Sequence, residues 1–352
     1  MENKEIIEVE NSEVSPKGKE LGIGLLLGFG YLTFLPYIPM IILLMFIKVP
    51  DPSIWGQSGP YSVLSAIAQI VAGAGVIVGS YFLSKPLFKK MFKSFKLETF
   101  KNSLKYALLA YACVVCANMI DVTLFGESMT NANQQAVTNL LFNSPVVGCL
   151  MTMVFAPIVE ELIFRYYVFK GLEKRNIFLA YVITALSFAA VHLIASIGTP
   201  FFLEDLRSLP VYTVAGLVFC YAYSKSKNMA VNIGAHMLYN TIATILIFVI
   251  PSTSAVEVVD VKQTTNSLTI TVEENADMLV DVTSMEIYLY DTYRPNKEQE
   301  PIQRIETSSE TITFDSLEPD TLYIIIINYE MNNAEYGEVG SKKSYVDLVT
   351  LK

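Results

Sequence analysis

Histidine is scarce in this chain: 352 residues contain two, His192 and His236. Tryptophan occurs once, as Trp55, and cysteine four times, as Cys113, Cys116, Cys149 and Cys220. All four cysteines fall in apolar runs, so no disulfide framework is implied. Cys113-x-x-Cys116 reads as small apolar residues in a helix rather than as a redox or metal pair. There is no His-Glu-x-x-His, which removes a helix-borne zinc site of that type, and no Gly-x-Gly-Asp. Gly56-Gln57-Ser58-Gly59 imitates a serine-protease motif, but it stands in a short loop beside Pro60 without a supporting third group, and is read as coincidence. Basic residues are few near the C-terminus. Residues 251–352 carry 7 Lys/Arg against 19 Asp/Glu, a net charge of −12, and the remaining 18 against 15 leave residues 1–250 at +3. Such an acidic segment is no partner for nucleic acid. The first twenty residues lack the basic n-region and small-residue cleavage site of a removed signal peptide, and are expected to be a short disordered cytoplasmic leader.

What the chain does have is apolar length: 52% of its residues are hydrophobic, concentrated before residue 251. Crossing a bilayer takes about 20 apolar residues in a helix. Seven stretches qualify, at roughly 21–47, 61–83, 103–120, 144–168, 179–197, 209–224 and 229–250, with Pro36 and Pro39 kinking the first. Loop charge sets their orientation. Lys85, Lys89, Lys90, Lys93, Lys96 and Lys101 lie in one loop, Lys170, Lys174 and Arg175 in a second, and Lys225 and Lys227 in a third; the intervening loops hold only Lys48 and Arg207. The N-terminus is therefore expected in the cytoplasm and residues 251–352 outside, in the cell membrane as a multi-pass protein.

Residues 255–352 read differently. Short β-rich runs at Asn266–Val272, Met285–Tyr290, Thr311–Phe314, Leu322–Tyr329 and Ser344–Leu351 suggest a β-sandwich. Leu317-Glu318-Pro319-Asp320-Thr321-Leu322-Tyr323 resembles the turn and tyrosine corner before strand F of a fibronectin type III domain. Ser267–Val272 departs from that pattern, having no aromatic where strand B carries a tryptophan. The expected fold class is an all-α polytopic membrane bundle over 21–250 followed by an all-β sandwich over 251–352. Adhesion to an extracellular protein partner, substrate capture and simple spacing are equal readings of the sandwich, since fold alone assigns no activity.

The fourth stretch contains Glu160, Glu161 and Arg165. Each ionised side chain at a helix centre disfavours insertion by about 2.5–3.5 kcal/mol, so a functional site facing the bundle interior is the default reading. Glu161 and Arg165 are i,i+4 neighbours suited to an ion pair, and Glu160 points about 100° away, free for chemistry. Both histidines fall in later spans, and Asn240 lies one turn beyond His236 on the same face. Helical rise puts His236 towards the cytoplasmic half, His192 towards the outer half and Glu160 between them. Such groups activate water either by direct general-base action of a glutamate or through a metal held by histidines.

Glu160-Glu161-x-x-x-Arg165, Phe188-x-x-x-His192 and His236-x-x-x-Asn240 together resemble, in order and spacing, the three motifs of the CAAX protease and bacteriocin-processing (Abi) family. The resemblance covers roughly residues 100–250. It implies an intramembrane peptidase acting on hydrophobic, lipidated or membrane-bound peptides. Glu160 would then activate water with His192 assisting, His236 and Asn240 would stabilise the oxyanion or bind metal, and Arg165 would orient the glutamates. Zinc or another divalent metal on Glu160, His192 and His236 is the open alternative chemistry. A non-catalytic scaffold or bacteriocin-immunity protein of the same fold is the alternative function. A transporter lacks support, because no repeat of spans is visible.

The charge bias yields a direct test. In a background with the four native cysteines replaced, a cysteine at Asn296 is expected to react with an impermeant thiol reagent in intact cells, and one at Lys93 is not. Labelling at position 93 alone would reverse the orientation.

Overall fold

The computed structural model describes residues 14–47, 59–125, 131–249, 256–274, 280–290, 292–293, 299–333 and 338–350. Residues 1–13 of the expected leader, Trp55, Gly56-Gln57-Ser58 and Asn296 lie outside the described residues. Two compact units result. One gathers the residues before 48 with 59–197 and 203–249, and the other gathers 198–202 with the C-terminal strands.

The first unit is helical. Helix α1 (Gly18–Thr33), which starts within the expected leader, meets α2 (Tyr37–Phe46) at a bend of 46°. Pro36 stands at the bend, where its missing N–H ends one helix and its fixed φ starts the next. Then come α3 (Gly59–Leu83), α4 (Lys85–Lys93), α5 (Leu97–Phe125), α6 (Ala132–Asn143), α7 (Pro145–Glu173), α8 (Ile177–Val191), α9 (Leu209–Ser226) and α10 (Met229–Val249). Among the described residues α3, α5, α7 and α10 are long and apolar enough to cross a membrane, and α1 with α2 makes a fifth as one broken span. The expectation of seven is not reproduced. Helix α8 has only 15 residues, ending at Val191 rather than 197, and α9 dilutes its apolar residues with Tyr212, Thr213, Tyr221, Tyr223 and Ser224-Lys225-Ser226.

Helix α8 packs on α9 and α7, and α5 on α9 and α10. Their shared interior combines Phe164, Phe188 and Phe219 with the small residues Ala110, Ala215, Ala222 and Ala235. Small residues let helix backbones approach, which drives association where lipid offers no hydrophobic contrast. The outward faces are apolar, as at Leu26, Phe82, Leu124 and Phe178.

The second unit carries β1 (Val256–Gln263), β2 (Leu268–Glu274), β3 (Val280–Leu289), β4 (Gln303–Glu306), β5 (Thr311–Phe314), β6 (Leu322–Asn333) and β7 (Glu338–Val349). They form two antiparallel sheets, ordered β1-β2-β5 and β4-β3-β6-β7. Period-two alternation points Leu268, Ile270, Val272, Ile312 and Phe314 from the first sheet into one core with Val282, Met285, Ile287, Ile325 and Ile327 from the second. Strands β1 and β4 escape the sequence reading for a physical reason. Both are sheet edges, and β1 carries Glu257, Asp260 and Lys262 while β4 offers a single apolar residue, Ile305. Backbone pairing to β2 and β3 holds them, together with Val256, Val258, Val261 and Ile305, which pack on the core between charged neighbours.

Tyr323 is buried and its hydroxyl accepts a hydrogen bond from the Glu318 N–H at 2.9 Å. Tyr323→Phe in a 253–352 fragment is therefore expected to lower unfolding free energy by about 1–2 kcal/mol, measured by urea denaturation. An unchanged midpoint would mean that the bond contributes nothing.

Candidate active site

Helix α7 holds the glutamates, and its backbone is irregular around them. Leu150–Phe155 and Glu161–Phe169 are π-helical, with five α-helical residues, Ala156–Glu160, between. Such widened turns recur at functional sites because they re-aim side chains. Pro157 explains part of the first one. The Ala156 N–H bonds to the Met151 carbonyl, so the Thr152 carbonyl is next in line for residue 157, and a proline has no N–H to give. The Asn240 side chain of α10 takes that place: its Nδ2 donates to the Thr152 oxygen at 2.8 Å.

The second feature is a buried cluster around Glu161, which is wholly inaccessible, as is Arg165. Arg165 Nη1 lies 3.0 Å from Glu161 Oε1, an ion pair by distance rather than an aligned hydrogen bond, and Nη2 donates to the Gly216 carbonyl at 3.4 Å. The guanidinium also rests on two aromatic faces, 4.5 Å from the Phe188 centroid and 5.3 Å from that of Phe219. Gly216 is required there, since a Cβ would stand 3.0 Å from the Ala185 Cα of α8.

His236 completes the cluster. Its Nδ1 is 2.9 Å from Glu161 Oε1, and its Nε2 is 3.7 Å from Glu160 Oε2. The Asn232 amide donates to Glu161 Oε2. Phe219 stacks on the imidazole at 4.5 Å. A carboxylate paired with arginine only accepts hydrogen bonds, so Nδ1 carries the hydrogen and Nε2 faces Glu160. The separation of 3.7 Å is too long for a direct hydrogen bond. Glu160 keeps 18% of its side-chain surface accessible, whereas Glu161 keeps none.

His192 occupies the C-cap of α8. Its Nδ1 is 2.7 Å from the Phe188 carbonyl, which can only accept, so Nε2 is again the nitrogen left for other work. The ring stacks on Tyr212 at 4.3 Å, and Tyr212 is in turn held by hydrogen bonds with Asn131 and Asn133. Phe188 links the two histidines, 4.8 Å from His192 and 6.0 Å from His236 between centroids.

Of the six residues singled out from sequence, Glu161, Arg165 and His236 thus meet directly and Glu160 stands 3.7 Å from His236, across the depth that helical rise alone places between the glutamates and His236. His192 joins through Phe188, and Asn240 is tied to the α7 backbone. Among the described residues no three His, Cys, Asp or Glu side chains gather as a metal-binding group, so Glu160, His192 and His236 do not form a three-ligand set here. Asn232, Phe219 and Gly216 were not anticipated. Asn232 had a signal: it is polar in an apolar helix, one turn before His236, on the face that also bears Asn240.

Residues 142–242 match the family model described as type II CAAX prenyl endopeptidase Rce1-like. The chain is also similar to YdiL of Bacillus subtilis, named as a candidate membrane peptidase, with 26% identity over 56% of this chain and 75% of that protein. The membrane-embedded CAAX protease MroQ of Staphylococcus aureus is 27% identical over 41% of this chain and 58% of its own length. The protein YvdC of Lactococcus lactis is 23% identical over 56% and 72%. The similarities support a membrane peptidase.

Two substitutions separate the structural roles. Arg165→Ala leaves a buried carboxylate without its partner and is expected to destabilise the helical unit by about 3–5 kcal/mol. Asn240→Leu orphans one carbonyl and is expected to remove about 1–3 kcal/mol. Thermal unfolding of the detergent-purified protein reads both, and an Asn240→Leu variant less stable than Arg165→Ala would invert this ranking.

Proposed function

We propose that the chain is an intramembrane endopeptidase in which Glu160 activates a water held between its carboxylate and His236 Nε2. The 3.7 Å gap carries this reading. With the imidazole neutral, two hydrogen-bond acceptors face one another there, and a water offers two O–H groups, one to each. Glu160 takes the proton as the water oxygen bonds to the scissile carbonyl carbon, and returns it to the amide nitrogen when the C–N bond breaks. The second amide hydrogen of Asn240 suits the oxyanion, while His236, oriented by Glu161, keeps Nε2 as the acceptor for the water's other hydrogen. His192 Nε2 assists proton movement. Arg165 and Asn232 fix Glu161, which fixes His236.

The substrates on this reading are hydrophobic, lipidated or membrane-bound peptides, such as CAAX-type, pheromone or bacteriocin precursors. The metal-dependent form would need Glu160, His192 and His236 to draw closer as ligands of zinc or another divalent ion, and no step above depends on it. A scaffold or bacteriocin-immunity role would leave the Glu160–His236 gap without a purpose. We place the N-terminus in the cytoplasm and the strands outside from the loop-charge bias. The two sheets we read as a β-sandwich of the fibronectin type III kind, from their order and the Tyr323 corner, positioned to meet an extracellular partner.

Glu160→Gln retains size and removes the proton acceptor. Cleavage of a membrane-peptide substrate in proteoliposomes is expected to fall at least about 10²-fold with protein level unchanged. Cleavage at the wild-type rate would end the glutamate-based reading, and loss on chelation with recovery on adding zinc would install the metal-dependent one.

A further inference from the structure

We propose that a groove between the N-terminal halves of α5 and α10 binds one acyl chain of an anionic phospholipid, whose headgroup lies against the lysines leading into α5. The groove encloses about 520 Å³ and is lined by Phe95, Phe100, Met237, Leu238 and Thr241 among others, with Lys96 as its one charged lining residue. Its floor is fixed where the two helices touch. The Ser103 hydroxyl donates to the Val231 carbonyl at 3.0 Å, and a Cβ on Gly234 would stand 2.5 Å from that hydroxyl oxygen. The concavity is therefore a built feature of the helix pair.

Its mouth joins two chemistries. Phe95, Leu97 and Phe100 are exposed by 54–70%, an apolar rim that suits hydrocarbon and not water. Residues 85–105 carry seven lysines, at 85, 89, 90, 93, 96, 101 and 105, against the single acid Glu98. Within this stretch α4 buries Leu87 and Phe88 and exposes Lys85, Lys89 and Lys93, the pattern of a basic helix lying in a membrane interface. Helix α10 begins directly after Lys225 and Lys227. Both helices that form the groove thus start on the lysine-rich side. A basic pocket between helices on that side selects an anionic over a zwitterionic headgroup, while the apolar lining accepts its chain. The groove is distinct from the glutamate–histidine cluster, sharing with it none of the lining residues named.

The test uses the full chain, delipidated in detergent, with equimolar dioleoyl phosphatidylglycerol and phosphatidylcholine, and native mass spectrometry to count bound lipid. A one-to-one phosphatidylglycerol adduct is expected to dominate. Lys96→Gln is expected to weaken it about fivefold, the effect of one basic residue at an anionic surface. Thr241→Phe, which fills the groove, is expected to lower both adducts. Equal binding of the two lipids, or no change in either variant, would overturn the proposal. So would displacement of the lipid by a farnesylated peptide whose cleavage Thr241→Phe abolishes, since the groove would then hold substrate. Because the readout is lipid mass, a failure here leaves the Glu160 reading untouched, and an inactive Glu160→Gln protein is expected to bind phosphatidylglycerol as the wild type does.

Discussion

A carboxylate, a guanidinium and an imidazole buried together in an apolar helix bundle are stable only if each satisfies the others, and the helical unit is organised around that requirement. Glu161 is the common partner. It receives Arg165 from its own helix and both His236 and Asn232 from α10. Removing any one leaves a polar or charged group without compensation in a low dielectric, where the deficit is far larger than at a surface. The aromatic faces of Phe188 and Phe219 close the cluster without adding a competing hydrogen bond. By absorbing the cation and orienting the imidazole, Glu161 leaves its neighbour Glu160 less paired and more accessible. Two adjacent glutamates thereby acquire different environments, which is how one element supports both a structural and a chemical role.

The irregular backbone of α7 serves the same end. A straight α-helix would give the Thr152 carbonyl to the Ala156 N–H and leave Asn240 nothing to bind there. The widened turn and Pro157 release the Thr152 carbonyl, and Asn240 binds it. Helix α10 is thus attached to α7 at two levels, by Asn240 to the backbone and by Asn232 and His236 to Glu161, two turns apart. That double attachment sets the 3.7 Å separation between His236 Nε2 and Glu160. A gap of this size is a positional quantity that a single flexible contact would not hold.

Much of this was legible in the sequence, for stated reasons. Charges inside apolar runs are rare enough to mark Glu160, Glu161 and Arg165, and a chain with two histidines makes each of them conspicuous. The i,i+4 spacing also gave the Glu161–Arg165 pair directly. What sequence spacing does not contain is the relation between helices. It offered no sign that Asn232 reaches Glu161, that Gly216 is needed for α8 and α9 to approach, or that Asn240 binds a carbonyl freed by Pro157. Helix ends were the other loss. An apolar run continues through Ile194 and Ile197, yet the α8 helix stops at Val191 and delivers His192 at its end. Among the strands, those with buried alternation were readable and the charged edges β1 and β4 were not.

In the proposed mechanism Glu160 and His236 act on one water as a single unit. A double-mutant cycle on cleavage rate, comparing Glu160→Gln, His236→Gln and the combination at matched protein level, tests this most directly. Residues acting as a unit are strongly non-additive, so the double variant is expected to be no slower than the slower single variant. Losses that multiply across the two substitutions would show independent roles, and would contradict the shared water.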